Sequence, residues 1–198
     1  MNNYQKCEKM IRNSKFSVKG VKTFRGMEGY GINANLYYEN KKIAFLLDSG
    51  NGGCMDIDWV WGKTKDGDPY ELEIVKECKL YIKTLLHTFP KCKWEEMGGK
   101  YDLEGDYTWD DESIFNLLVN DSIRNKEYNG WLKKVMVFHT EKKVVQSYKQ
   151  KVCDLDTKFN FGSCGVMTLR EYIKSQGWIL LNELSTTESY EYFDKYCG

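Results

Sequence analysis

TFRGMEGYGINANLYYENKKIAFLLDSGNGG, residues 23–53, holds two strand-like runs, 32–38 and 42–47, joined at Glu39, Asn40 and Lys41. Ile32, Ala34, Leu36 and Tyr38 fall on one face of the first run by period two. In the return run, Ile43, Phe45 and Leu47 lie on one face and Ala44 and Leu46 on the other. A strand that is apolar on both faces is central and covered rather than an edge. A glycine-rich segment sits at each outer end, Gly26, Gly29 and Gly31 before and Gly50, Gly52 and Gly53 after. Pairing the runs as a hairpin brings both segments to the same end, where glycine lets backbone approach a partner closely. Arg25, Glu28, Tyr30, Asn33, Asp48 and Asn51 gather there. Residues 56–62, DIDWVWG, read as a further strand that sets Trp59 and Trp61 on one side, beside the same end. These eight side chains are the candidate binding site.

Working outward, residues 1–12 form a short helix, and 15–25 a strand that Gly20 interrupts as a bulge. Residues 63–69 are a turn. Over 70–89, Ile74, Val75, Cys78, Tyr81, Ile82, Leu85, Leu86 and Phe89 recur at helical spacing until Pro90 stops them. Residues 91–107 read as a mobile loop or insertion. Thr108 and Asp111 match a capping box that starts a helix running to about Tyr128, closed by Asn129-Gly130. Residues 134–139 and 143–148 make a second hairpin, and 153–165 a loop. Two further capping boxes, Thr168 with Glu171 and Ser185 with Glu188, open a short helix closed by Gly177 and a terminal helix, with a brief strand at 178–181 between them. Strands and helices are segregated and hairpins dominate. The expected fold is α+β, a mainly antiparallel sheet from two hairpins with helices packed on one face, in one domain covering 1–198.

The 198 residues are 29% charged and 41% hydrophobic, the balance of an ordinary globular chain. Net charge is zero and the pI is about 6.7, so the basic excess that grips duplex DNA is absent. No apolar run approaches a membrane span, and the polar start MNNYQKCEKMIRNSKF has no signal-peptide core, so an intracellular protein is expected. Seven scattered cysteines without a C-x-x-C pair suit free thiols in a reducing compartment. Six Trp and fourteen Tyr supply a ring-rich core or a recognition surface.

Catalytic chemistry finds little support. The glycines of GMEGYG lead into a strand, whereas a dinucleotide or Walker loop needs a helix there. Cys54 after Gly52-Gly53, with His87 or His139 as a base, is a weak nucleophile pattern. The acidic groups Asp48, Asp56, Asp58 and Asp102, Glu104, Asp106, Asp110, Asp111 lack the spacing of a calcium loop and read as solvated faces. No catalytic residue, metal or cofactor is assigned.

The run KTFRGMEGYGINANLY at 22–37, continuing to 41–44 and 48–53, resembles a group of small uncharacterised bacteriophage and mobile-element proteins. Weaker likeness continues at 133–138 and 169–184. The resemblance implies a phage-type accessory protein in the cytoplasm of a bacterial host. Such proteins bind and block or capture a host component, in counter-defence as anti-CRISPR-like or other inhibitors. The expected partner is therefore a host protein, with no enzymatic activity. The alternative is a small-ligand protein that sequesters or processes a nucleotide signal.

Overall fold

The structure is a computed structural model that describes residues 1–97 and 105–197. The architecture is α+β, with antiparallel sheets built from hairpins. The chain gathers into two compact units, Met1–Ser122 and Ile123–Gly198.

The first unit opens with α1 (Asn3–Arg12). Asn2 caps it, its side chain accepting from Gln5 N while Gln5 Oε1 accepts from Asn2 N. β1 (Phe16–Arg25), β2 (Tyr30–Tyr38), β3 (Lys41–Asp48) and β4 (Asp56–Trp59) then form a four-stranded antiparallel meander in chain order. Gly20, at φ +66°, sits where the β1–β2 register shifts between Lys19 and Lys22, which is the expected bulge. Glu39 and Asn40 turn the β2–β3 hairpin with φ of 47° and 67°, the left-handed pair a two-residue turn requires. Cross-strand partners share a face, so Val18, Leu36, Ala44 and Trp59 form one row. Helices cover that face. Phe16 packs on Tyr81 and Phe115 at 5.6 Å between ring centres, and Ala34, Leu36, Ala44 and Leu46 are shut from solvent beneath them.

The run 56–62 is two strands, not one. Val60 N donates to Ile43 O at 2.8 Å as pairing with β3 ends. β5 (Trp61–Lys63) then pairs with β6 (Pro69–Glu71) in a separate ladder. Gly62 faces Tyr70 across it, and a Cβ there would run into the phenol ring. Because 69–71 is engaged as a strand, α2 (Glu73–Thr88) begins later than its periodicity suggests; Pro90 still ends it. β7 (Cys92–Lys93) pairs with β8 (Asp106–Tyr107), and Trp94–Met97 forms a 3-10 turn. The rest of the loop expected at 91–107, residues 98–104, lies outside the described residues. α3 (Asp111–Trp131) is capped by Asp110, not Thr108. The Asp110 carboxylate accepts from Ser113 N at 2.7 Å and from its hydroxyl at 2.5 Å. The helix also runs through Gly130 instead of stopping there, since Gly130 does not take the left-handed φ a C-cap uses.

In the second unit β9 (Lys134–His139) pairs with β10 (Val144–Lys151). A small hairpin of β11 (Lys158–Asn160) and β12 (Val166–Thr168) occupies the span expected to be loop. α4 (Leu169–Ser175), β13 (Ile179–Leu180) and α5 (Thr186–Tyr196) complete it, with sheet order β10-β9-β13. Both expected capping boxes are present, and Gly177 turns at φ +69°. Helices lie on both faces of this sheet, and β9 is buried from Val135 to His139. Met136 and Phe138 pack with Tyr128, Leu181 and Phe193, while Val135 and Val137 pack with Leu169, Ile173 and Leu180. Past β13, Asn182 extends the pairing with its side chain. Its Oδ1 accepts from Met136 N at 2.7 Å and its Nδ2 donates to Lys134 O at 3.0 Å. Arg124 closes the C-terminus of α5, donating to the carbonyls of Phe193, Asp194 and Cys197 at 2.8–3.2 Å.

Candidate functional site

Ile32 pairs with Asp48, which sets the turn between β1 and β2 directly against the turn after β3. Two hydrogen bonds run between the turns, from Glu28 and Met27, and one lies within each turn. Gly26 N donates to Gly29 O at 2.8 Å, and Glu28 N to Gly50 O at 3.0 Å. Met27 N donates to Asn51 Oδ1 at 3.1 Å, and Gly50 N to Asp48 Oδ1 at 2.8 Å. The glycines accommodate one another. A Cβ on Gly26 would sit 2.6 Å from the carbonyl oxygens of both Ser49 and Gly50. One on Gly50, already at φ +68°, would sit 2.6 Å from Gly31 N, and one on Gly31 would strike the Phe24 ring and Asp48 O. Gly29 alone of the first segment has open space at that position. The close approach that glycine permits here is of one turn to the other.

This geometry sorts the eight candidates. Asp48 and Asn51 are engaged as acceptors for backbone N–H groups. The Glu28 carboxylate lies over the Cα of Gly52. Arg25 is exposed and forms no ion pair with Glu28 or Asp48 among the described residues. Tyr30 projects into solvent with 78% of its surface exposed. Asn33 is half-buried opposite Lys22 and Leu47, on the face away from the helices. Trp59 and Trp61 are not brought to this end. Trp59 pairs with Ala44, four residues along β3 from Asp48, or about 13 Å at the strand rise. Its ring meets Phe115 edge-on at 6.4 Å and carries Lys79 Nζ at 5.0 Å. Trp61, 53% exposed, belongs to the β5–β6 ladder with Tyr70.

Two residues at the double turn went unassigned from sequence. Met27 is 91% exposed and, with Tyr30, makes an apolar tip at the braced turn, while Phe24, 38% exposed, lays its ring against Gly31 on the face opposite Tyr30. The available signal was a large apolar residue inside a glycine-rich turn, where packing gives it no reason to be. A second feature needed the fold: a cleft of 390 Å³ lined by Trp59, Lys79, Lys83, Trp109, Asp110 and Asp111. Trp109 forms its buried wall, stacked on Tyr4 at 5.0 Å. Lys79 is already held by Glu71 at 2.5 Å, while Lys83 is exposed.

The Cys54 thiol is exposed but pushed up from its ordinary range, first by the Glu112 carboxylate beside it. That is the reverse of nucleophile activation. Glu112 also accepts from Met55 N at 2.8 Å, which ties this segment to the start of α3. His87 is exposed in the last turn of α2. His139 is buried against Trp178 at 4.0 Å, with no hydrogen bond of ordinary geometry at either ring nitrogen. Among the described residues no three His, Cys, Asp or Glu side chains gather as a metal site would need, and no helix is long and apolar enough to cross a membrane. Comparison with protein-family models, curated proteins and solved structures finds no match to this chain.

Proposed function

We propose that the protein acts by binding rather than by catalysis: a phage-type accessory protein that captures or blocks a host protein, as a counter-defence inhibitor of anti-CRISPR-like or related kind. The observation that carries this reading is the exposure of Met27 and Tyr30 on the braced double turn. A backbone support that is already braced need not be ordered on docking, and Tyr and Met are favoured where interfaces bury their cores. The likeness of residues 22–37 to phage and mobile-element proteins supplies the bacterial-host setting, and with it a cytoplasmic location. The test immobilises the chain and its Met27→Ala/Tyr30→Ala variant and exposes both to bacterial lysate. A host protein retained by the parent and released by the variant, at equal melting temperature, supports the reading; equal retention by both sinks it.

A second reading has its own support in the cleft beside Trp59. An indole wall with Lys79 and Lys83 at the rim suits an aromatic base carrying phosphate, which keeps a nucleotide-sequestering or nucleotide-processing role in view. Asp110 and Asp111 on the same cleft oppose an anion, and this reading ranks second for that reason. A thermal-shift screen with nucleotides and cyclic nucleotides separates the two, since a specific ligand raises Tm by mass action.

A further inference from the structure

We infer that Cys7 and Cys92 are a latent disulfide, a redox staple built into the first unit between α1 and β7. Their Sγ atoms lie 3.5 Å apart although the residues are 85 positions apart in sequence. Both are sealed from solvent, at 0% and 1% exposure, and both aim at one acceptor, the Pro90 carbonyl, at 3.8 and 3.3 Å. No other thiol–thiol contact is present among the described residues: Cys54, Cys153 and Cys164 are exposed, Cys197 is half-buried, and Cys78 is buried without a thiol neighbour.

The surroundings already hold the two chain segments in register. Asn2 Nδ2 donates to Glu96 O at 2.8 Å, Asn3 Nδ2 to Lys91 O at 2.9 Å, and Tyr4 N to Glu96 Oε2 at 3.0 Å. Tyr4 is further fixed between Trp109 and Tyr107 at 5.0 and 5.9 Å. Two weak S–H donors competing for one carbonyl contribute little, so a bridge would give up little hydrogen bonding. The sulfurs need to close by about 1.5 Å to reach the length of a disulfide bond.

The oxidant is a small-molecule disulfide such as oxidised glutathione. One protein thiol, as thiolate, attacks it and expels one glutathione thiol; the second protein thiol displaces the other. Two S–H bonds are lost from the protein and two formed on glutathione, so the step balances. Burial and the adjacent Cys92 push the Cys7 thiol up to about 12, which disfavours attack in the closed state. Closure therefore occurs while the chain folds or when α1 lifts away, and the bond records the redox state of the compartment in which folding took place.

The test uses the full chain with Cys54, Cys153, Cys164 and Cys197 replaced by serine, refolded from denaturant in glutathione redox buffer or in dithiothreitol. The expected result is a protein two hydrogens lighter, a peptide map joining Cys7 to Cys92, and a Tm higher by on the order of 10 °C that dithiothreitol reverses. Adding Cys92→Ala removes both the link and the reductant-sensitive shift. Cys7 and Cys92 recovered alkylated after oxidative refolding, or joined with Tm unchanged or lowered, would overturn the inference.

Discussion

Replacing Gly26 with alanine tests whether the glycine-rich motif is a scaffold joint or a cradle for a ligand. The added methyl carbon would lie 2.6 Å from two backbone carbonyl oxygens, those of Ser49 and Gly50, and 2.8 Å from the Gly50 carbonyl carbon. Backbone cannot swing aside as a side chain can, so the two turns must separate. Separation strains or breaks the Glu28 N to Gly50 O bond at 3.0 Å, at a cost of about 1 kcal/mol. Overpacking at a tight contact adds roughly 1–3 kcal/mol, for a total of about 2–4 kcal/mol. Gly29 is the internal control. It sits three residues away in the same motif, has nothing within 4 Å of its would-be Cβ, and is not at positive φ. Gly29→Ala should therefore change stability by no more than about 0.5 kcal/mol, and the loss of unfolded-state entropy favours a small gain. Urea unfolding of both variants, followed by tryptophan fluorescence, reads the difference. Equal effects from the two substitutions, or no effect from Gly26→Ala, would refute the interlocked-turn account.

The tip and its brace should separate under mutation. Met27→Ala and Tyr30→Ala should leave Tm nearly unchanged, as surface substitutions do. Asn51→Ala should cost about 1 kcal/mol by removing the acceptor for Met27 N, and a calorimetric Tm equal to that of the parent would contradict this. In the core, Phe115→Ala empties a fully buried site against Phe16 and Trp59 and should cost about 3–5 kcal/mol by denaturant titration; a loss under 1 kcal/mol would mean the site had collapsed. His139 carries a pH dependence. Burial first, and then Lys142, lower its pKa below 6.5, with Gln146 opposing. The unfolded chain accordingly takes up a proton that the folded state resists, and stability present above pH about 6.5 falls as the solution is acidified through that value. His139→Phe should flatten the Tm profile between about pH 5 and 7; a slope identical to that of the parent would exclude His139 as its source.

Local pattern by itself determined the elements whose causes are local. Period-two alternation placed β2 and β3, helical spacing up to Pro90 placed α2, and Ser/Thr-x-x-Glu placed the starts of α4 and α5. Gly20 and Gly177 were legible because a bulge and a helix end each need a conformation that few residues other than glycine adopt readily. The sequence also brought the two glycine-rich segments to one end of one hairpin. Only the tertiary structure decided what they do there, because whether a glycine admits a ligand or a neighbouring backbone depends on what lies 2.6 Å away, and that neighbour is about twenty residues distant in the chain. Competition between partners was equally invisible. Residues 56–62 alternate as one strand, yet Trp61–Lys63 pairs with Pro69–Glu71, which delays α2 and separates Trp59 from Trp61. The meeting of Cys7 with Cys92 belongs to the same class. Periodicity records which face of an element is apolar, while contact between distant positions is a property of how those faces are packed.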